Sequence, residues 1–401
     1  MPPSHAPAST VVFVRRGRSR PLWHGHPWLF SEAIARIDGT PTDGDEVLVC
    51  DHEGRAIGRG LFAAGSQIRV RLYGAPDEGL DRALWHRRIA AALALRKRVL
   101  RLPDAETTGY RLVHGEGDRL PGLVIDVFDD VVVVQLGTPG LARRLGELVD
   151  VLRECLAPRA IVRAAPPAVA RQGGQPVGAE VVDGALDGPV VIRENGLEFE
   201  CDLIGGQKTG FYFDQRENRA RVAGFAPGRA VLDAYSYVGG FALSCARAGA
   251  REVVAIDSSS RAIQSLQANA RRNGLSVETL HEDVSRALKA LAGAGRSFEL
   301  VILDPPKLAP RADTRDDALR AFRAINALGL SLVKEGLFVT ASCAHHVGEV
   351  DLMRALAEAA KEAHRTVQVL EVRTQAPDHP VLIACPESRY LTLLLCAVSV
   401  A

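Results

Sequence analysis

The chain is 401 residues long, enough for two or three domains with separate cores. Its 47% hydrophobic and 24% charged residues are those of an ordinary globular protein, and no apolar run is long enough to span a bilayer. The formal net charge of +1 gives no overall pull toward nucleic acid, so any such binding has to come from local patches.

The opening "MPPSHAPASTVVFVRRGRSR" has no basic region followed by an apolar stretch, so it does not read as a signal peptide, and the expected location is the cytoplasm. Short strand candidates follow, "STVVFV", "DEVLVCD", "AIGRGLF" and "SQIRVRLY", punctuated by glycine and proline. They predict a small β-barrel-like domain over residues 1–78. "LDRALWHRRIAAALALRKRVLRL" has apolar residues at helical spacing with arginines between them. "LPGLVIDVF" and "DVVVVQL" read as a hairpin turning at Asp129-Asp130, and "LARRLGELVDVLRECL" as an amphipathic helix. Residues 79–190 are thus expected to form a small α/β domain, whose Gly- and Pro-rich tail "PPAVARQGGQPVGAEVVDGALDG" reads as loop.

Residues 191–401 open with a hairpin, "PVVIRENGLEFECDLI", in which Asn195-Gly196 supplies the positive φ values of a type I′ turn. Strand and helix then alternate from "AVLDAY" to "EVDLMRALAEAAKEA", the pattern of a doubly wound parallel sheet. The last strands could close one edge antiparallel. The seven cysteines are scattered, odd in number and without a C-x-x-C pair, which argues against a disulfide framework and against a metal site.

Ligands of open α/β sheets sit beyond the carboxyl ends of the strands. Asp233, Asp257 and Asp283 each end a strand candidate, and "SYVGG" makes a tight turn after the first. An acid at the second end suits ribose hydroxyls. Each aspartate could instead only cap a helix. Together the three favour a nucleoside cofactor. No G-x-G-x-x-G turn is present for a pyrophosphate, which weakens a dinucleotide and an NAD-linked dehydrogenase. Asp304-Pro305-Pro306-Lys307 ends the next strand as a stiff rim whose carboxylate can accept from the edge of a base. Cys343 ends the strand after it. A thiolate adding to carbon 6 of a pyrimidine makes carbon 5 nucleophilic toward a methyl sulfonium, and Asp304 could assist if it carries a proton. Core packing is the plain alternative for Cys343. His345 and His346 could lower its pKa or serve as a base, but fit exposed loop residues better. In "GGQKTGFYFDQRENR", Phe211, Tyr212 and Phe213 could pack under an adenine, and Lys208, Arg216 and Arg219 could meet a carboxylate or phosphates. A basic helix start on the surface is nearly as good a reading.

The motifs "KTGFYFDQRENR", "VLDAYSYVGGFAL", "VVAIDSS", "VILDPPK" and "TASCAHH" resemble those of bacterial 23S ribosomal RNA cytosine-5 methyltransferases. The likeness extends to "RRGRSRPLWHGHPWLFSEAI", "YRLVHGEGDRLPGLVIDVF" and "APDHPVL", and so covers nearly the whole chain. It implies an N-terminal PUA domain, a small α/β domain and a Rossmann-like class I methyltransferase domain. It implies S-adenosylmethionine as methyl donor and RNA, 23S ribosomal RNA or a large-subunit precursor, as acceptor. Cofactor contacts would come from Asp233, Tyr235, Ser236, Gly239, Asp257, Ser258, Asp283, Asp304 and Pro305, with Phe213, Gln215 and Arg216 nearby, and Cys343 would be the nucleophile. Where the family often has Ser-Cys-Ser, this chain has Ser342-Cys343-Ala344. Pro306, Lys307, Lys208, Arg219, Arg15 and Arg16 are candidate RNA contacts, together with Arg18, Arg20 and the arginine-rich helix (Arg87, Arg88, Arg96, Lys97, Arg98). The expected activity is methylation of carbon 5 of a cytosine. A uridine target or a non-catalytic RNA-binding role remain the alternatives, no membrane partner is expected, and a homodimer is left open.

Overall fold

A computed structural model describes residues 10–204, 210–306, 315–344 and 347–401. By mutual contacts the chain divides into two units. The first comprises Met1–Ile192, Cys201–Phe213 and Pro377–Ser388, and the second Arg193–Glu200, Asp214–Ala376 and Arg389–Ala401.

The first unit holds two sheets. Strands β1 (Val11–Val14), β2 (Trp28–Phe30), β3 (Ile34–Asp38), β4 (Glu46–Cys50), β5 (Ala56–Phe62) and β6 (Ile68–Gly74) form a six-stranded sheet in the order β2-β6-β5-β4-β1-β3, with the short helix α1 (Arg20–Trp23) between β1 and β2. Its core is Val12, Val14, Leu22, Leu29, Val47, Val49, Phe62 and Val70. Strands β7 (Gly109–His114), β8 (Leu123–Phe128), β9 (Val131–Leu136), β10 (Ala160–Ala165) and β11 (Gly178–Gly184) form the second sheet. Helices α2 (Arg82–Ala94), α3 (Pro139–Ala142), α4 (Leu145–Leu156) and α5 (Pro167–Gly173) accompany it. The β8–β9 hairpin turns at Asp129, whose φ is 57°. The stretch expected to be loop instead holds α5 and β11. Proline at the first turn starts α5 and Gly174 at φ +63° ends it, so residues that signal a loop are here helix punctuation.

The expected surface arginines of α2 and of its π-helical continuation, Leu95–Leu100, need correction. Arg96 is 0% exposed and pairs with Asp118, and Arg88 donates to the Tyr73 carbonyl at 2.7 Å. Arg87 pairs with Glu78, whereas Lys97 and Arg98 stay exposed. The arginines with buried partners stabilise this unit and are not open to phosphate.

Strands β12 (Val190–Glu194) and β13 (Leu197–Cys201) form the hairpin, with Asn195 and Gly196 at φ 50° and 76°, as a type I′ turn demands. The second unit is then a seven-stranded sheet of β14 (Ala230–Ala234), β15 (Glu252–Asp257), β16 (Glu278–His281), β17 (Phe298–Leu303), β18 (Val333–Ser342), β19 (Arg365–Arg373) and β20 (Thr392–Val400). Their order is β16-β15-β14-β17-β18-β20-β19, parallel except for β20, which runs antiparallel to both neighbours. The order reverses between β14 and β17, the place where such sheets take their ligands. Helices α6 (Arg216–Ala223), α7 (Gly240–Arg247) and α8 (Ser260–Arg272) pack through Val222, Phe241 and Leu266 on one face of the sheet. Helices α9 (Val284–Gly293), α10 (Arg315–Ser331) and α11 (Glu349–Glu362) pack through Leu288, Phe322 and Leu352 on the other. Strand residues alternate between the two cores, Val231 to one and Leu232 to the other, which is why the strands read as continuous apolar runs. Among the described residues no helix is long and apolar enough to cross a membrane.

Candidate active site

The carboxyl ends of β14, β15 and β17 bring three aspartates together. Asp233, on β14, is 1% exposed. Its Oδ2 accepts the Ala242 N–H at 2.9 Å, while its Oδ1 is buried with no hydrogen-bond partner among the described residues. Burial pushes its pKa up to about 8; the Ala242 N–H opposes this, the negative charge of Asp304 adds to it, Arg219 opposes it and Asp257 adds again. Asp233 is therefore a protonated acid near neutrality unless a cation arrives beside it.

The turn after β14 is strained. Tyr235 and Tyr237 have φ of 65° and 49°, uncommon for residues with a side chain. The bonds that hold it include Ser236 N–H to the Ile256 carbonyl at 3.0 Å, Tyr237 N–H to Asp257 Oδ2 at 2.9 Å, and Asn269 Nδ2 to the Val238 carbonyl at 3.2 Å. Gly239, at φ +94°, then starts α7, and a Cβ there would lie 2.8 Å from Leu266. Backbone strain at such a turn is typical of a ligand clamp.

Asp257 accepts Tyr237 N–H and Ser259 N–H, one on each oxygen, so its carboxylate is oriented by backbone and keeps lone pairs for a further donor. Ser258 is exposed beside it, and its carbonyl faces the His281 ring at 3.1 Å. Asp283 is exposed and caps α9, accepting Arg286 N–H at 3.0 Å. Burial and the Asp283 charge together push the Tyr235 phenol up to about 12, which places that ring near the third strand end.

Asp304 follows β17 and is half-buried; its N–H reaches the Ala234 carbonyl at 3.4 Å. Pro305 is buried and Pro306 exposed. Cys343 follows β18 and is half-buried, and β17 and β18 are adjacent, with Leu303 opposite Thr340. Asp304 and Cys343 thus close neighbouring parallel strands at the same edge of the sheet. Lys208, Lys307, His345 and His346 lie outside the described residues.

The segment before α6 departs from expectation. Phe213 is 1% exposed and packs on Phe128 and Phe211 in the core of the first unit. Phe211 is buried too. Both rings are structural aromatics here, and their apolar character is satisfied without an adenine. Arg219, expected on an RNA surface, is 4% exposed and bonded to Glu194 Oε1 at 2.6 Å, beside Gly240 at the start of α7. Burial of that guanidinium removes it from phosphate contact. Arg216 is also buried and pairs with Glu217. Gln215 is buried, with its Oε1 accepting from Asn218 and its Nε2 without a partner among the described residues.

Two residues at the site escape sequence reasoning. Asn269 ties the strained turn to α8, and Thr340 leaves a buried hydroxyl without a partner among the described residues at the Cys343 end of β18. Asn269 had a legible signal, a polar residue on the buried face of α8 beside Leu266 and Ala270.

S-adenosylmethionine carries an ammonium, a sulfonium and two ribose hydroxyls, and the residues present fit it. An orphaned buried carboxyl oxygen on Asp233 suits a cation, and the backbone-oriented carboxylate of Asp257 suits hydroxyl donors. When bound, this cofactor supplies an electrophilic methyl group.

Comparisons with known proteins agree with this arrangement. Residues 12–74 match a PUA-like domain, and residues 111–387 match the S-adenosylmethionine-dependent methyltransferase family. A relative in Erwinia tasmaniensis named "Ribosomal RNA large subunit methyltransferase I" is 36% identical, over 96% of this chain and 99% of its own length. One of the same name in Shewanella amazonensis is 37% identical over 97% and 100%. In fold, the chain is similar to a SAM-dependent methyltransferase from Streptococcus mutans, with a TM-score of 0.83 at 19% identity over 96% of this chain and 99% of that one. A second solved methyltransferase, complexed with SAH, gives a TM-score of 0.84 with the same identity and coverage. The chain belongs to the S-adenosylmethionine-dependent methyltransferases that carry a PUA-like domain, the family of these relatives, and S-adenosylmethionine is its cofactor.

Proposed function

We propose that the protein methylates carbon 5 of a cytosine in large-subunit ribosomal RNA through a covalent adduct on Cys343. The observation that carries this reading is the half-buried Cys343 side chain just past the end of β18, next to the Asp304-Pro305-Pro306 rim at the end of β17. The names of the relatives support ribosomal RNA as acceptor. In the proposed cycle the Cys343 thiolate forms a bond to carbon 6, and the electron pair released onto carbon 5 takes the methyl group as that group's bond to the sulfonium sulfur breaks, leaving a neutral thioether. Removal of the carbon 5 proton by a base then lets the carbon 6–sulfur bond break, restoring the aromatic ring and the thiolate. Asp304 accepts from the base edge, and its proton, when present, assists the addition. Arg15 and Arg16, both exposed, would contact phosphates.

The test is Cys343→Ala. Methyl transfer to ribosomal RNA should be lost while S-adenosylmethionine binding is retained, and mass mapping of ribosomal RNA from cells with and without the protein should show one cytosine losing a methyl group. Transfer that persists in Cys343→Ala would sink the adduct. A methyl missing from a uridine would change the base and keep the thiol chemistry. An unaltered methylation map would remove the ribosomal substrate.

A further inference from the structure

The segment from Thr10 to Ser31 contains no acidic residue, yet it holds four arginines within six positions (Arg15, Arg16, Arg18, Arg20) and two histidines. In a chain of net charge +1 this is a concentrated positive patch. Arg15 Nε donates to the Ile34 carbonyl at 2.9 Å, which anchors that guanidinium at the sheet. Arg16, Arg18 and Arg20 are exposed and have no carboxylate partner among the described residues. Exposed arginines elsewhere in this unit are commonly neutralised, as Arg36 is by Asp38 and Arg55 by Asp51.

Trp23 stands in the same patch. It is 47% exposed, and among the described residues its ring has no aromatic neighbour and its indole N–H no acceptor. It ends α1, three residues after Arg20, so the two side chains are neighbours on that turn, while buried Leu22 ties the turn to the core. The other two tryptophans are employed: Trp28 donates to Glu116 Oε1 at 2.9 Å, and Trp85 is 0% exposed. Gly17, at φ +77°, bends the chain between Arg16 and Arg18 and has open space where a Cβ would be.

We infer that Trp23 stacks on an unpaired base of the RNA while Arg16, Arg18 and Arg20 hold the phosphates beside it. This rests on the RNA reading above and adds the class of RNA that the patch recognises. Guanidinium groups match phosphate oxygens, and an indole face matches any exposed base. A base inside a duplex has both faces covered, so one protruding indole can meet only an unpaired one. An acidic protein would satisfy the arginines and leave the indole in water. A membrane would need a broad apolar face, whereas Trp23 shares its turn with Arg20, Pro21 and His24, all exposed.

Because Trp23 is the exposed indole, the intact protein reports on itself. A short oligouridylate should quench the intrinsic fluorescence, and the same strand annealed to its complement should quench far less. Trp23→Phe should abolish the quenching yet keep most of the affinity, measured by anisotropy of a labelled strand. Trp23→Ala should weaken binding roughly 5- to 150-fold, the worth of one stacked base. Arg18→Ala with Arg20→Ala should flatten the salt dependence by about 0.7 in slope for each lost contact. Thermal melts of each variant check that it is folded. Oligouridylate binding without quenching, equal quenching by duplex, or equal binding of polyglutamate would each overturn the proposal. Methylation mapping is a separate readout, so failure of the methyltransferase reading and failure of this site are told apart.

Discussion

At the scale of a residue, Asp233 makes the sharpest prediction. A free aspartate ionises near 3.8, whereas burial keeps the proton on Asp233 to about 8. Between those values the folded chain holds a proton that the unfolded chain has released, so stability falls as pH rises from about 4 to about 8. Asp233→Asn cannot titrate, and the difference in melting temperature between it and the wild type should grow in its favour across that window. Binding of a cationic cofactor favours the ionised form, so near pH 7 S-adenosylmethionine should displace a proton. Calorimetry in two buffers of different ionisation enthalpy reads that release directly, and equal heats would refute it. The strand-end position of Asp233 was legible because an acid after an apolar run is conspicuous. Its protonation was not, since that depends first on burial and then on the charges of Asp304 and Asp257, which only the fold brings about.

At the scale of an element, the hairpin and α6 show the same division. Asn195-Gly196 announced its turn, since few residue pairs tolerate two positive φ values. Arg219 looked like a surface cation because its partner, Glu194, lies 25 residues earlier on a different element. Arg96 misled in the same way, with Asp118 22 residues away. Side-chain type alone does not say which arginines are spoken for. With both partners nearly buried, Glu194→Ala should destabilise the fold by roughly 3–5 kcal/mol, because the guanidinium is left without its carboxylate. The pair Glu194→Leu with Arg219→Met should recover much of this in denaturant melts, and no recovery would show that the ion pair is not the cause. The turn before α7 is as demanding. Gly239→Ala combines a left-handed φ with a methyl 2.8 Å from Leu266, and should lose about 1–3 kcal/mol together with cofactor affinity.

At the scale of the molecule, the residues 377–388 that follow β19 belong to the first unit. Asp378 is one of its ties: its carbonyl accepts from Arg96, and its Oδ2 accepts the Arg111 N–H at 2.9 Å. This was not legible, because a short segment between two strands of one sheet gives no sign that it serves another core. Asp378→Ala should free the Arg111 amide, and hydrogen exchange there should quicken in the full chain. Unchanged exchange would mean that the carboxylate is dispensable.

That returning segment also sets an order in time. The first unit is encoded mostly at the amino end, but it needs a piece that lies about 200 residues further on. At about 5–20 residues per second, a ribosome takes roughly 10–40 s to reach it. Until then Arg96 has its carboxylate but not its last acceptor, and the amino-terminal half of the protein waits on the carboxyl-terminal end to be finished.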